Sequence, residues 1–357
     1  MSVTVGNKAI KTIRTEQMEK KDLRIVFMGT PEFAVATLDA IINNGYKVVA
    51  VVTQPDRPVG RHQDRVQPSA VKRYAMGKGI PVLQPVKMRD EQFIAELRSY
   101  GANLQVVVAF RMLPEAVWAM PQYGTFNVHA SLLPQYRGAA PINWAIINGE
   151  TTTGVTTFFL DHQIDTGRII MQKPYPIGAE SNAEDVYNGL MRLGADIAVE
   201  TIRQIVATNG NVPTVSQQEA QAVTAVGGAV LHPAPKIFND TCRIRWTAGA
   251  KQVHDFVRGL SPRPGAWTTL VLPSGKPVTL KIYRTTILPI RPETPSRSPL
   301  HAHPRPPGTI TVDGNHLFIA AADGLLRIDE LQLAGKKRMK APDFLNGVRN
   351  VTLIKVE

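Results

Sequence analysis

TFNVHASLLPQYRGAAPINWAIINGETTTGVTTFFLDHQIDTG, residues 125–167, is the stretch of sequence from which the fold can be predicted. Its first residues alternate between apolar and polar, which is the period of a β-strand and places Asn127 and His129 on the same face. A second strand-like run at 154–160 precedes an Asp-Thr-Gly turn that begins at Asp165. We therefore expect an amide, an imidazole and a carboxylate to converge where two strands end.

These three side chains suit the transfer of a carbonyl carbon. A carbonyl that is attacked by nitrogen develops an oxyanion, which needs hydrogen-bond donors already aimed at it. Asn127 has an amide N–H for this purpose, and a protonated His129 has a charged donor, which a nearby Asp165 would favour. His129 would also move protons from the attacking amine to the leaving nitrogen. The alternative interpretation is that His129 is a structural residue at a strand end.

Apolar runs upstream of this stretch predict a parallel sheet. Residues 23–29 (LRIVFMG) precede a helical pattern, and residues 47–53 (KVVAVVT) form the next run. This strand-helix-strand order predicts parallel strands joined by right-handed crossovers. A third run, 104–110 (LQVVVAF), is expected at the centre of the sheet, and such sheets bind ligands beyond the carboxyl ends of their strands. The predicted fold class is α/β, with a Rossmann-like, mostly parallel sheet.

The last third of the chain predicts a second, smaller domain. Residues 209–235 show no clear periodicity and are interpreted as a linker. Short apolar runs with glycine-rich turns then predict an OB-like β-barrel, a common platform for nucleic acids; the runs are 268–272, 278–283, 308–312, 317–321 and 325–331. The proline-rich residues 289–307 are expected to be a disordered insertion.

The charge is concentrated in this second part. Residues 231–357 contain 19 Lys and Arg against 9 Asp and Glu, which is +10 of the whole chain's net charge of +12. Such asymmetry favours a polyanionic partner, most simply a nucleic acid. The densest run of positive charge can contact phosphates; its members are Lys336, Lys337, Arg338 and Lys340. A solvated basic surface without a partner is the alternative.

The composition argues against several classes of protein. No run approaches the ~20 apolar residues that a membrane span requires. Cys242 is the single cysteine, so an internal disulfide is excluded, and a reducing cytoplasm is compatible with this. No grouping of residues resembles a metal site. Residues 1–22 are polar and of mixed charge, and we interpret them as an extension without an export or transit signal.

The motifs NVHASLLP at 127–134, RG at 137–138 and DTG at 165–167 together resemble those of the 10-formyltetrahydrofolate-dependent formyltransferases. The resemblance runs from about Leu23 to the last residue, and within the family it is closest to the members that formylate methionyl-tRNA. It implies transfer of a formyl group from 10-formyltetrahydrofolate to the α-amine of methionyl initiator tRNA, without a metal, by a cytoplasmic monomer. It also implies a catalytic domain at 23–208, a linker at 209–235 and a tRNA-binding domain at 236–357.

The resemblance implies a role for each matching residue. Asn127, His129 and Asp165 are expected to be catalytic. The expected folate contacts are Phe110, Arg111, Ser131, Leu132, Leu133 and Pro134. The expected tRNA contacts are Arg57, Arg61, Lys336, Lys337, Arg338 and Lys340, and Phe33 is expected to contact the methionyl group.

The chain departs from the family pattern in two places. In the family, the loop that corresponds to 54–68 is mobile, reaches the acceptor stem of the tRNA and usually continues into a Gly-Lys-Lys run. Here it reads His62-Gln63-Asp64-Arg65 and is less basic. Arg263 stands where an aromatic residue is usual.

Two other functions remain open from the sequence. One is a formyltransferase that acts on a small amine, such as a sugar nucleotide or glycinamide ribonucleotide, since the core motif is shared; the basic second domain argues against it. The other is a non-catalytic tRNA-binding module with a degenerate folate site, and the intact Asn127, His129 and Asp165 argue against it.

Overall fold

The computed structural model describes residues 17–59, 65–224, 230–271, 275–288, 305–347 and 355–356. The predicted tRNA contact Arg61 lies outside the described residues. So do residues 1–16 of the N-terminal extension and residues 289–304 of the proline-rich insertion.

The first domain alternates strands and helices, as the apolar runs predict. Its strands are β1 (Arg24–Gly29), β2 (Lys47–Val52), β3 (Arg57–Val59), β4 (Arg65–Gln67), β5 (Val82–Leu83), β6 (Leu104–Val108), β7 (Thr125–His129), β8 (Thr152–Phe159) and β9 (Ile169–Pro176). Its helices are α1 (Glu32–Asn43), α2 (Ala70–Gly77), α3 (Glu91–Ser99), α4 (Glu115–Trp118), α5 (Pro141–Ile147) and α6 (Ala183–Ala207).

Seven of these strands form one sheet in the order β5-β2-β1-β6-β7-β8-β9. The first five strands are parallel, and β8 and β9 are antiparallel additions. The strand order reverses between β1 and β6, where Gly29 pairs with Val108. A Cβ atom at Gly29 would lie 2.6 Å from the Cβ of Ala34, so only glycine permits this close packing of α1. Sheets of this kind bind ligands at such a switch point.

Helix α6 is the last helix of the first domain and packs its apolar face on the main core. Its N-cap is Asn182, whose side chain accepts hydrogen bonds from the backbone N–H groups of Glu184 and Asp185. Its apolar face, which includes Leu190 and Ile197, is buried in the main core. None of the helices in the described ranges is long and apolar enough to cross a membrane.

The second domain is an antiparallel sheet packed on a helix. In chain order, after α7 (Gln217–Thr224), its elements are α8 (Ala250–Leu260), β10 (Ala266–Val271), β11 (Pro277–Ile287), β12 (Ile310–Asp313), β13 (His316–Ala320), β14 (Leu325–Leu333), β15 (Met339–Lys340), α9 (Ala341–Gly347) and β16 (Lys355–Val356). The main path of the sheet is β12-β13-β14-β11-β10-β16. The backbone N–H of Val356 donates to the carbonyl of Gly308 at 3.4 Å, which links the two ends of that path. The predicted α/β domain followed by a β domain is therefore confirmed.

The segment interpreted as a linker, residues 209–235, contains a helix that its lack of clear periodicity did not indicate. This helix is α7, and the segment packs along the first domain. Val215 pairs with Ile169 in an antiparallel bridge, and Ala234 pairs with Gly138 in a parallel one. Local periodicity does not predict these two bridges, because Ile169 and Gly138 are far from their partners in the sequence.

Helices α5 and α8 join the two domains through a close backbone approach. A Cβ at Gly259 would lie 2.7 Å from Cγ1 of Ile147 and 3.1 Å from the carbonyl oxygen of Asn143. The side-chain amide of Asn143 donates to the carbonyl of Gly259 at 2.7 Å. Arg258 Nη1 donates to the carbonyl of Ser181 at 2.8 Å. These contacts fix the second domain against the helix that follows the NVHASLLP motif.

Candidate active site

His129 and Asp165 come together at the edge of the sheet, as the sequence predicts. His129 is the last residue of β7, and Asp165 lies in the loop between β8 and β9. Their closest atoms, His129 Nδ1 and Asp165 Oδ2, are 3.9 Å apart. Both side chains are largely buried, with 7% and 13% exposed. The distance is that of an ion pair and is too long for a hydrogen bond.

The other ring nitrogen of His129 is held by the backbone. Nε2 lies 3.0 Å from the carbonyl oxygen of Tyr136. Because a carbonyl can only accept, Nε2 is the nitrogen that carries the proton in the neutral ring. The edge of Phe158 contacts the ring, with centroids 6.4 Å apart and planes at 80°. Nδ1 is therefore the nitrogen that faces Asp165, and it is the one available to exchange a proton.

The Asp-Thr-Gly turn has the residues that its backbone demands. Asp165 has φ +55°, a left-handed conformation that only Asp, Asn and Gly adopt readily. Its Oδ2 accepts a hydrogen bond from the N–H of Gly138 at 3.0 Å. A Cβ atom at Gly167 would lie 1.7 Å from the carbonyl oxygen of Phe159. The turn thus holds the carboxylate against the 136–138 loop as well as near His129.

Asn127 is flanked by a buried residue on each of the two strands that pair with β7. It pairs with Val107 on β6 and Phe158 on β8, and its residue is partly exposed. Its side chain makes no hydrogen bond with any residue that the structure describes. A partly exposed amide with its donors free can bind an oxygen atom of a ligand.

The loop after His129 is pinned by β8 and β9. Thr156 Oγ1 accepts from the N–H of Leu133 at 3.0 Å and donates to the carbonyl of Ser131 at 2.7 Å. Gln172 Nε2 donates to the carbonyl of Leu133 at 2.8 Å. The Ser131 hydroxyl donates to the carbonyl of Gln135 at 2.6 Å. These bonds satisfy the loop backbone and hold its shape.

The predicted folate contacts in this loop differ in exposure. Ser131, Leu133 and Pro134 are buried, and Leu133 packs in a small apolar cluster with Phe158. Leu132 is partly exposed. The first three therefore shape the loop, and a ligand would meet their backbone more than their side chains. Their role as folate contacts stays a prediction.

Phe110 and Arg111 follow β6 at the opposite side of the crevice. The chain turns at Ala109, which has φ +46°. Arg111 donates to the carbonyl oxygens of Pro85 and Val86, the latter at 2.9 Å. Burial lowers the pKa of the Arg111 guanidinium below its usual range. Arg111 thus ties two loops together, and its predicted contact with folate would use the donors that remain.

Phe33, the predicted contact of the methionyl group, lies in the core. Its ring is 5.3 Å from that of Tyr187, edge-on at 67°, and its backbone N–H donates to the Tyr187 hydroxyl at 2.8 Å. Only 4% of Phe33 is exposed, so little of the ring can contact a ligand. The predicted role remains untested by this geometry.

The stretch 54–68 was expected to be a loop and instead contains a hairpin. Strands β3 and β4 pair, with Arg57 opposite Gln67. At the base, Lys72 Nζ donates to Asp56 Oδ2 at 2.5 Å. This bond, followed by one from Gln84, holds the pKa of the Asp56 carboxyl below its usual value. Arg57 is exposed, and its guanidinium hydrogen-bonds to the side chain of Gln54.

The basic run of the second domain lies in the turn between β14 and β15 and extends to Lys340, the last residue of β15; we call it the basic turn. Its cations are all exposed: Lys336, Lys337, Arg338 and Lys340. Arg338 pairs with Glu330, and its guanidinium lies 4.5 Å from the ring centroid of Tyr283. The three lysine ammonium groups form no ion pair within the described ranges. They are thus free to meet a polyanion, whereas Arg338 is already engaged.

Sequence reasoning missed Gln217, which touches the backbone of the Asp165 turn. It is the first residue of α7 and 2% exposed. The available signal was the Ser-x-x-Glu pattern of Ser216 and Glu219, which is typical of a helix N-terminus. Glu219 and Ser216 do cap each other, with 2.8 Å from the N–H of Ser216 to Glu219 Oε2.

No group of three or more His, Cys, Asp or Glu side chains is arranged to hold a metal ion in the part of the chain that the structure describes. The contact between His129 and Asp165, with Asn127 on the same strand as His129, makes these three residues, here called the strand-end cluster, the candidate site; the loops at 109–111 and 131–135 border it.

Comparison with known families matches both domains. The family model described as "Formyl transferase" matches residues 23–202. The model described as "Formyl transferase, C-terminal domain" matches residues 236–349.

Several relatives match almost the whole chain. A Parabacteroides distasonis protein named methionyl-tRNA formyltransferase is 53% identical over 335 residues, which is 94% of this chain and 98% of the relative. A Bacteroides thetaiotaomicron protein of the same name is 50% identical over 333 residues, 93% of this chain and 98% of the relative.

Solved structures with lower identity share the fold. WlaRD, a sugar 3N-formyl transferase crystallised in the presence of dTDP and 5-N-formyl-THF, has a TM-score of 0.57 at 19% identity, over 88% of this chain and 99% of that chain. HypX from Aquifex aeolicus in complex with tetrahydrofolic acid has a TM-score of 0.56 at 16% identity. That match covers 90% of this chain and 47% of HypX, so this chain spans about half the length of HypX. The models and the near-full-length relatives together show that the chain belongs to the formyl transferase family.

Proposed function

We propose that this protein transfers the formyl group of 10-formyltetrahydrofolate to the α-amine of methionine esterified to initiator tRNA. The observation that carries the proposal is the 53% identity to a relative named methionyl-tRNA formyltransferase, because it extends over 98% of that relative. A shared core alone would also fit enzymes that formylate small amines. The similarity here includes the second, basic domain.

In the proposed reaction, the methionyl amine attacks the formyl carbon and negative charge builds on the formyl oxygen. The amide of Asn127 donates a hydrogen bond to that oxygen. The partly exposed position of this amide, two residues before the end of β7, and the absence of a hydrogen bond to any described residue support this role. A single donor of this kind stabilises a transition state by roughly 2–4 kcal/mol.

His129 is the second donor and the proton carrier. Its Nε2 is bound to the carbonyl of Tyr136, so the proton transfers involve Nδ1. The carboxylate of Asp165 lies 3.9 Å from Nδ1 and stabilises the imidazolium by charge. In its protonated form Nδ1 donates to the developing oxyanion. It gives its proton to the folate nitrogen as the bond from that nitrogen to the formyl carbon breaks, and it takes up the proton that the attacking amine loses. The leaving product is tetrahydrofolate.

The residues around the crevice fit a folate. A flat, largely apolar ligand suits the half-exposed Phe110 and Leu132, and backbone polar groups of the two bordering loops suit its pterin ring. Folate is a co-substrate in this proposal, and no metal takes part.

The tRNA is held by charge. The free ammonium groups of Lys336, Lys337 and Lys340 support phosphate contacts, with Arg338 beside them. Arg57 lies on β3, and we propose that it and Arg61, which is outside the described residues, contact the acceptor end. We further propose that the protein acts in the cytoplasm as a monomer.

The test is one incubation with 10-formyltetrahydrofolate and charged methionyl initiator tRNA, followed by mass analysis of the aminoacyl group. We expect a formyl adduct on methionine with the natural protein and at least a hundredfold slower formation with His129→Ala. Parallel incubations contain an amino-sugar nucleotide or glycinamide ribonucleotide. A formyl adduct on one of these and not on the tRNA would overturn the proposal.

His162→Ala is the matched control. His162 is close to Asp165 in sequence, but its side chain is 72% exposed and lies beside Glu115 and the ring of Trp118. We expect this variant to keep its turnover within about twofold. Near-normal turnover by His129→Ala would remove the proposed role of His129.

A further inference from the structure

Gln217 is a buried side chain whose hydrogen-bonding groups are all used. Its Nε2 donates to the carbonyl oxygens of Asp165 and Gly167, both at 2.9 Å. Its Oε1 accepts from Arg137 Nε at 2.9 Å and from Arg137 Nη2 at 2.6 Å. These partners allow only one orientation of the amide. If it were flipped, Oε1 would face the two carbonyl oxygens and Nε2 would face the Arg137 guanidinium.

The two segments that Gln217 bridges are the ones that set the position of the Asp165 carboxylate. One is the Asp-Thr-Gly turn itself. The other contains Arg137 and Gly138, and the N–H of Gly138 donates to Asp165 Oδ2. Gln217 is joined to the first segment through backbone carbonyls and to the second through a guanidinium. Removing it would leave the single Gly138 bond to hold the two segments in register.

Asp165 needs this support because of its backbone. Its φ of +55° lies in the left-handed region, which Asp tolerates better than most residues but which is still less stable than ordinary backbone; such conformations persist when surrounding contacts over-determine them. Without the two bonds from Gln217, the turn can relax toward an ordinary conformation. The carboxylate would then move relative to His129 Nδ1, which is 3.9 Å away in this structure.

The helix start that carries Gln217 is itself fixed. Ser216 and Glu219 exchange hydrogen bonds in a capping box, and Val215 forms a backbone bridge with Ile169 of β9. Gln217 therefore reaches the turn from a backbone held on both sides. This backbone belongs to the segment between the domains and not to the sheet that carries His129.

We propose that Gln217 is a positioning residue for formyl transfer, which holds the Asp165 carboxylate beside the imidazole of His129. The inference rests on the proposed function. It predicts a loss in kcat, because misplacing a charged group affects the transition state more than the binding of either substrate.

The experiment compares Gln217→Ala and Gln217→Glu with Gln218→Ala. Gln218 is the exposed neighbour on the same helix and serves as the matched control. We expect kcat to fall about tenfold to a hundredfold in both Gln217 variants, with KM for tRNA and for the formyl donor changed less than about threefold. Gln217→Glu is nearly isosteric and keeps the acceptor for Arg137 but loses both donors, so it reports on the turn even if Gln217→Ala folds poorly. Gln218→Ala should stay within about twofold of the natural protein.

A double-mutant cycle separates positioning from general support of the fold. If Gln217 acts through the Asp165 carboxylate, Gln217→Glu should cost less than about threefold in kcat when Asp165→Asn is already present. Independent, multiplying losses in the cycle would overturn the proposal, as would an unchanged kcat in Gln217→Glu or an equal loss in Gln218→Ala. If the natural protein itself does not formylate methionyl-tRNA, the proposed function fails, and that result is distinct from the failure of this inference.

Discussion

The strand-end cluster of the first domain and the basic turn of the second are built in opposite ways. In the cluster, His129 is 7% exposed and its ring is held by the carbonyl of Tyr136 and the edge of Phe158. In the turn, Lys336, Lys337 and Lys340 are exposed and have no ion-pair partner among the described residues. One region depends on geometry and the other on charge density.

The difference follows from what each region has to bind. A developing oxyanion occupies one point, so its donors must be fixed within a fraction of an ångström and shielded from water. A nucleic-acid backbone is a line of charges, and mobile lysines neutralise it without any single required position. We therefore expect variants of the cluster to change kcat whatever the salt concentration, and variants of the turn to change KM in a salt-dependent way.

The largest effect is expected for Asn127→Ala. The variant removes the unpaired side-chain amide from the middle of β7 and leaves the buried neighbours Val107 and Phe158 in place. Because the donor would act only in the transition state, kcat should fall about a hundredfold to a thousandfold, with little change in KM. Single-turnover formylation at low and high salt measures this. A loss of activity that depends on salt, or a change in KM alone, would show that Asn127 binds substrate and does not stabilise the transition state.

A smaller loss is expected for Asp165→Asn. Asparagine tolerates the left-handed backbone and can still accept from the N–H of Gly138, so the variant removes charge with little change of shape. The imidazolium of His129 then lacks its counter-charge, and we expect kcat to fall about tenfold to a hundredfold. The change is read from kcat under saturating substrates. An unchanged kcat would show that the 3.9 Å contact has no electrostatic role.

Replacing Lys336, Lys337 and Lys340 together by Ala tests the other side of the comparison. Each lysine that contacts a phosphate contributes about one unit to the slope of log affinity against log salt. We expect KM for tRNA to rise about tenfold near physiological salt and kcat to stay within about twofold. The matched control replaces the same residues by Arg, which keeps the charge and should keep the KM. A loss of kcat in the Ala variant would mean that this turn also positions the substrate.

The smallest effect concerns the base of the hairpin that carries Arg57. The pKa of the Asp56 carboxyl is lowered by hydrogen bonds from Lys72 and then Gln84. A carboxyl whose pKa is lower in the folded than in the unfolded protein stabilises the fold at pH values above its unfolded pKa of 3.8. This stabilisation is lost as the pH falls through the lower folded pKa. We expect Asp56→Asn to lower the unfolding temperature slightly at pH 7, with the difference from the natural protein shrinking below about pH 4. A difference that grows in acid would contradict this sign.

Much of the fold could be predicted from local patterns. The apolar runs at 23–29, 47–53 and 104–110 correspond to β1, β2 and β6, because a strand buried on both faces is a nearly continuous apolar run. The short runs of the second domain correspond to β10–β14 for the related reason that each buries one face. The proximity of His129 and Asp165 could also be predicted from the sequence. His129 ends one strand and Asp165 comes shortly after another, at the same edge of the sheet.

The remaining features depend on partners far apart in the chain. Arg111 is expected from the resemblance to contact folate, and the sequence does not show that its guanidinium donates to the carbonyls of Pro85 and Val86. Residues 209–235 are interpreted from the sequence as a linker. The hydrogen bonds of Gln217 to the Asp165 turn could not be predicted, because the two segments meet only in the folded protein.

The sequence by itself determined an α/β part followed by a β part, the positions of most strands along the chain, the uneven charge and the residue types of the candidate site. These properties follow from local periodicity and composition, which can be read from short segments of the sequence. Only the tertiary structure decided which nitrogen of His129 faces Asp165, which of the basic side chains are already paired, and that Gln217 bridges Asp165 and Arg137. Those outcomes depend on distances between segments that come together in folding, and no local pattern encodes such distances.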